Sequence, residues 1–255
     1  MGVLARVLMF PNAQKKLEAF SKLDELVEKK SEYEYGNVRL YNESYKLNVA
    51  IKLLLKVSKQ DKLPGMQDIS DIYILTLDVP VEHESLEGIF DVKEARKVYL
   101  IHYTEAQLEN IAMMSTESGS NTLSHALRAL RKVGFNPIES IIELPTGQRA
   151  VDVLREIGNI GWVYVSEIRD THLRGAGLYG RSLQNSEILE DLTTRGGQIT
   201  AAIVEHPQRD IKMIISQRGS IYSQQNLDII TLARVIKDVL YVMIKHNLVR
   251  SRIVY

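Results

Sequence analysis

The chain contains no cysteine. That absence excludes disulfides, thiolate metal sites, iron–sulfur clusters and a cysteine nucleophile, and it fits a reducing compartment. Long apolar runs are missing as well: none approaches the roughly eighteen residues a membrane helix needs. The opening MGVLARVLMFPNAQKK has an apolar patch too short for a signal-peptide core and no small-residue cleavage site. A soluble, cytoplasmic protein with no membrane partner is therefore expected. Net charge is lacking too, since 32 Lys and Arg balance 32 Asp and Glu, so there is no whole-molecule basic field to draw in nucleic acid. Catalytic signatures are equally scarce. There is no GxGxxG or Walker sequence, no HExxH and no GxSxG, and the six histidines (83, 102, 125, 172, 206 and 246) show no metal-ligand spacing. No cofactor or metal is expected, and no catalytic motif supports an enzyme.

What is present is an ordinary globular composition, 45% hydrophobic and 25% charged over 255 residues, enough for one large domain or two smaller ones. The neutral average hides a split. Residues 1–120 come to about −4 and residues 121–255 to about +4. Basic residues are mostly lysine in the first part and mostly arginine in the second. Arginine's planar fork suits phosphates and base edges, whereas lysine is a hydrated point charge.

Periodicity gives the outer regions. Residues 3–9 read as a strand, and Leu17, Phe20, Leu23 and Val27 recur at helical spacing. From Leu47 to Val57 every second residue is apolar, which argues for a strand. A loop is expected at 59–68 and another strand at 72–79. Residues 1–85 thus read as a mostly antiparallel sheet domain with one covering helix. Toward the other end, 161–168 reads as a strand with Trp162 in the core, 188–192 as a short helix before Gly196-Gly197, and 199–206 with 211–217 as a hairpin. A helix over 227–246, capped by Asn226, is apolar on nearly every face and so is expected to be buried on more than one side, as in a homodimer. Hairpin, short strand and long helix resemble the arrangement of Roadblock-like and profilin-like modules, which implies an α/β dimerisation or sensing module over 159–255.

The middle is harder. In SNTLSHALRALRKVGF, residues 120–135, Leu123, Leu127, Leu130 and Val133 form an apolar stripe. Ser120 or Asn121 can cap the start, and Gly134 can supply a left-handed end. Upstream, Thr104 and Gln107 of TEAQLENIAMM match a capping box. VKEARKVYLIHY reads as a first helix or, by its alternation, as a strand. ESIIELPTGQRAVDVL reads as two short strands around LPTGQ, or else QRAVDVLREIG is a helix ended by Gly158. In the order helix, capped helix, turn, helix, hairpin, residues 90–157 resemble a winged helix–turn–helix DNA-binding domain of the small-repressor type. The resemblance implies that Asn121, Thr122, Ser124, His125 and Arg128 face DNA bases, while Arg131, Lys132 and Arg149 hold phosphates. The expectation is an α+β chain with a central winged-helix-like segment at 86–158, acting as a DNA-binding regulator.

A second candidate is IRDTHLRGAGLYGRSLQ, residues 168–184, where Arg169, His172, Arg174 and Arg181 stand among glycines. Exposed amides and guanidinium groups of this kind can clasp a phosphate. That would suit an enzyme handling a small phosphorylated ligand. An oligomeric interaction scaffold is the remaining alternative.

Overall fold

A computed structural model of the chain describes residues 2–28, 38–42, 45–57, 71–85, 88–142, 144–169, 172–207, 210–216 and 220–251; the loop expected at 59–68 lies outside them. The fold is α+β, with long antiparallel pairings. It divides into two compact units, residues 8–138, and residues 139–255 together with 1–7. The units run across the boundaries expected at 85 and 158. A hairpin passes through the first, and the amino-terminal strand β1 (Val3–Met9) pairs with a strand from the far end of the chain. The pairing of β1 with that strand joins residues as far apart as Val3 and Ser223 and leaves no trace in local composition.

In the 8–138 unit, helix α1 (Ala13–Glu28) is followed by β2 (Val38–Asn42), β3 (Tyr45–Val57), β4 (Ile72–Ser85), β5 (Gly88–His102), β6 (Ile111–Thr116) and helix α2 (Ser120–Lys132). The strands lie in sequence order, β2-β3-β4-β5-β6. Asn12 caps α1, its Oδ1 accepting from the Lys15 amide at 2.8 Å. The core gathers Phe10, Phe20 and Phe135. Phe135 meets the other two rings edge-on at 5.4 and 5.2 Å, and Phe20 stacks on His102 at 4.2 Å. Aromatic pairs of this kind add about 1 kcal/mol each beyond the area they bury.

One turn of α1 departs from its apolar pattern. Leu17 is 53% exposed, while its neighbour Lys16 is buried with Ala19, Phe20 and Leu23. The Lys16 ammonium donates to the carbonyl oxygens of Tyr103 and of Leu108, the last residue of a 3₁₀ turn at Ala106–Leu108. Burial lowers its pKa to about 8, against the opposing pull of Glu105 and Glu109.

The central segment is not helical before α2. Residues expected as a first helix or a strand form β5, which pairs with β4 from Ile72↔Ile101 to Ser85↔Gly88. The expected capped helix at 104–114 is the 3₁₀ turn followed by β6, and no side chain caps that turn. A local cap contributes only about 1 kcal/mol. It loses to the strand pairing of β6 with β5 and to the complete burial of Ile111–Thr116. Among the described residues, therefore, the helix that a helix–turn–helix needs ahead of α2 is not formed.

The second unit begins with β7 (Ile138–Ile142), helix α3 (Gln148–Ile157), β8 (Asn159–Ser166), β9 (Gly175–Tyr179) and helix α4 (Glu187–Thr194). It ends with β10 (Gln198–His206), β11 (Ile211–Ser216), β12 (Ser220–Ser223), helix α5 (Ile229–Lys245) and β13 (Val249–Ser251). The expected wing strand at 148–154 is α3, whose Ala150, Val151, Leu154 and Ile157 are buried at helical spacing. Asp228, rather than Asn226, caps α5 by accepting from the amides of Ile230 and Thr231. The main sheet order is β1-β12-β11-β10-β8-β9, with β7 pairing β13 to one side. Helix α3 packs on β8 and β10 and against α5. Among the described residues no helix is long and apolar enough to cross a membrane.

Candidate functional site

Helix α2 forms where expected, with Leu123, Ala126, Leu127 and Leu130 buried against the sheet of the 8–138 unit. Gly134 ends it at φ +90°, with the Phe135 amide reaching back to the Leu130 carbonyl at 3.1 Å. Of the residues assigned to DNA, Asn121, Arg128, Arg131 and Lys132 are exposed. Thr122 is not. It is fully buried, donating to the Ser118 carbonyl at 3.0 Å and accepting from Arg96 at 3.2 Å, so it holds the helix start rather than facing a base. Ser124 turns back onto the Ser120 carbonyl at 3.3 Å. His125 is half-buried, and burial, then the charges of Arg128 and Arg96, push its pKa down. Arg131 and Lys132 occupy the last turn, where cations are favoured by the helix dipole whatever else they do. Arg149 is exposed on α3 of the 139–255 unit, so it stands on a helix rather than on a wing strand.

The arginines of the 168–184 segment are all exposed, as is His172. Arg169 lies over Gly196, where a Cβ would come within 3.3 Å of its Nε. Arg174 and Arg181 flank β9 at opposite ends. The strand between them covers five residues, about 16 Å of extended chain.

What lies between them was not foreseen as a site. Strand β9 ends the sheet order, so one of its edges is unpaired among the described residues. Its partner β8 alternates cleanly: Val163 and Val165 are buried, whereas Tyr164 is 43% exposed and Trp162 half-buried. A register slip against β10 puts Gly161 in a bulge, so Ile160 also turns inward and Trp162 stays outward. The β8–β9 register sets Trp162 opposite Tyr179 and Tyr164 opposite Gly177, and residues directly opposite share a face. Tyr179 is 88% exposed. The glycines leave the rings room: a Cβ at 175 would lie 2.7 Å from the Tyr164 hydroxyl, and one at 177 would lie 3.8 Å from Trp162 Nε1. The outer face of β8–β9 is thus a shelf of three aromatic side chains with an arginine beyond each end of its edge strand. Trp162, expected in the core, is instead half-buried on this outer face, and its pairing with Tyr179 had no signal in the sequence.

Two other polar clusters are internally matched. In the 139–255 unit a cavity of about 230 Å³ is lined by Glu156, Ile157, His206, Pro207, Asp238 and Val242. His206 sits 3.4 Å from Asp238, and Glu156 accepts from Lys245 at 2.8 Å and pairs with His246 at 3.0 Å. A histidine held by a carboxylate has general-base geometry, but among the described residues no hydroxyl or amine side chain lines this cavity to serve as nucleophile. In the 8–138 unit Lys56 bridges Asp24 at 2.7 Å and Asp71 at 3.3 Å, and Tyr73 donates to Asp24 at 2.7 Å. Among the described residues no group of His, Asp and Glu is arranged to hold a metal ion. No protein-family model matches the chain, and comparison with curated proteins finds no match.

Proposed function

We propose that the protein is a nucleic-acid-binding regulator and that the β8–β9 shelf, rather than α2, carries the main contact. The observation that supports this most is the chemistry of one stretch. Residues 171–186 contain no Asp or Glu, and Arg174 and Arg181 bracket strand β9, whose Tyr179 shares a face with Tyr164 and Trp162 of β8. Spaced cations suit a chain of phosphates better than a single one, and aromatic faces suit bases. The exposed stripe of α2, with Asn121, Arg128, Arg131 and Lys132, supports a lesser contact that positions without reading sequence.

The test is anisotropy of labelled oligonucleotides at several salt concentrations. Binding should weaken steeply with salt as counterions are released. Arg174→Ala with Arg181→Ala should remove most of it, and Arg128→Ala with Arg131→Ala only part. Absence of binding at about 50 mM salt, where phosphate contacts are strong, would sink the reading. A homodimer through α5 belongs to the same proposal. Ile230, Arg234, Lys237, Tyr241 and Ile244 form one half-buried stripe on that helix, which supports a second copy docking there. Sedimentation equilibrium tests it, and a monomer at every concentration would remove it.

A further inference from the structure

We infer that the β8–β9 shelf takes single-stranded nucleic acid, with unpaired bases stacking on Tyr179, Tyr164 and Trp162 while Arg174 and Arg181 hold phosphates at the two ends of β9. This rests on the nucleic-acid reading above and narrows it to one class of ligand. What the face offers is stacking surface. Its rings are carried on adjacent extended strands, Trp162 directly opposite Tyr179 and Tyr164 two residues along from Trp162, a step of about 7 Å. A duplex keeps its base faces stacked inside and shows only edges and backbone, so rings on an open sheet have nothing there to stack upon. Unpaired bases expose the faces that aromatic side chains bind, without regard to sequence.

The neighbours of the rings are small where bulk would obstruct. Ser166 and Gly175 are paired, as are Tyr164 and Gly177, so beside the rings the edge strand has no side chain rising from that face until Tyr179. With 88% of its surface exposed, Tyr179 contributes little to the packing of its own unit. The two arginines stand beyond the two ends of a five-residue strand of about 16 Å, a path of several nucleotides, within the range of about 4–16 that single-strand modules occupy. The acid-free stretch from 171 to 186 leaves that path without like-charge repulsion from its own backbone segment.

The chain has one tryptophan, and it stands on this shelf, so its emission reports the site directly. Full-length protein would be titrated with an oligothymidine of about 12 nucleotides and with a duplex of equal length, following Trp162 emission and anisotropy together. The expected result is quenching of Trp162 by the single strand, with affinity at least tenfold above that for the duplex. Tyr179→Ala should weaken single-strand binding roughly 5- to 150-fold, the effect of losing one stacked base, while Tyr179→Phe should retain it. Equal binding of both forms without quenching overturns the single-strand inference and leaves nucleic-acid binding standing. Unchanged affinity in Tyr179→Ala also overturns it. Binding of neither form overturns both readings.

Discussion

Lys16→Met should change how stability depends on pH, and the size of the change follows from where Lys16 sits. The side chain is 1% exposed and donates to two carbonyl oxygens. Its pKa falls from 10.5 to about 8 because burial disfavours the ammonium ion. This is opposite to a lysine that gains a partner at the surface. Between pH 8 and 10.5 the unfolded chain holds a proton that the folded chain has released, so stability rises with pH across that window. The rise amounts to about 3 kcal/mol at about 1.4 kcal/mol per pH unit. Methionine fills the same volume and cannot titrate. At neutral pH two effects oppose each other: relief of the buried charge, and loss of donors to two buried carbonyls at about 1–3 kcal/mol each. At pH 10.5 the first has nearly vanished, so the variant should look about 3 kcal/mol worse relative to wild type than it does at pH 7.5. Urea unfolding followed by circular dichroism at the two pH values measures this, and subtracting the variant cancels the tyrosines that titrate in the same range. A wild-type-minus-variant difference that stays flat would refute the burial of a charged Lys16.

Three further outcomes are expected. His102, stacked on Phe20, has its pKa pushed down to about 4 by burial and then by the charges of Lys16 and Lys56. The folded state therefore excludes its proton, and stability should be lost as pH falls from 6.5 toward 4. His102→Phe should flatten that loss by up to about 3 kcal/mol in urea midpoints. Burial alone would raise the pKa of Asp228, but hydrogen bonds from Thr231 and Ile230 outweigh it and hold the carboxyl low, so its cap acts above the usual carboxylate range and fails as pH drops through the lowered value. Asp228→Ala should cost about 1 kcal/mol at neutral pH, with faster amide exchange confined to the first turn of α5. Gly134→Ala must hold φ near +90° and displace the Lys22 side chain, so thermal unfolding should report a loss of about 1–2 kcal/mol.

What the sequence determined by itself was set within a few residues. Period-two alternation placed β3, the apolar stripe and Gly134 placed α2 and its end, and the hairpin β10–β11 and helix α5 followed from their apolar runs and turn residues. The arginines of 168–184 were legible for the same reason, as a local cluster of chemistry. Tertiary structure decided whatever depended on a distant partner. KVYLIHY is compatible with helix or strand until β4 pairs along its whole length, and TEAQLENIAMM has a helix start that β6 overrides. In α1, hydrophobicity favours Leu17 for the core, yet the helix is rotated so that Lys16 meets two carbonyls, a preference no composition rule contains. The aromatic shelf belongs to the same class. Which residues share its face is set by the register of β8 with β9, and which face stays open by the helices packed on the other side. Local free energies of about 1 kcal/mol can be read from sequence; the larger sums from pairing and burial exist only once remote strands have met.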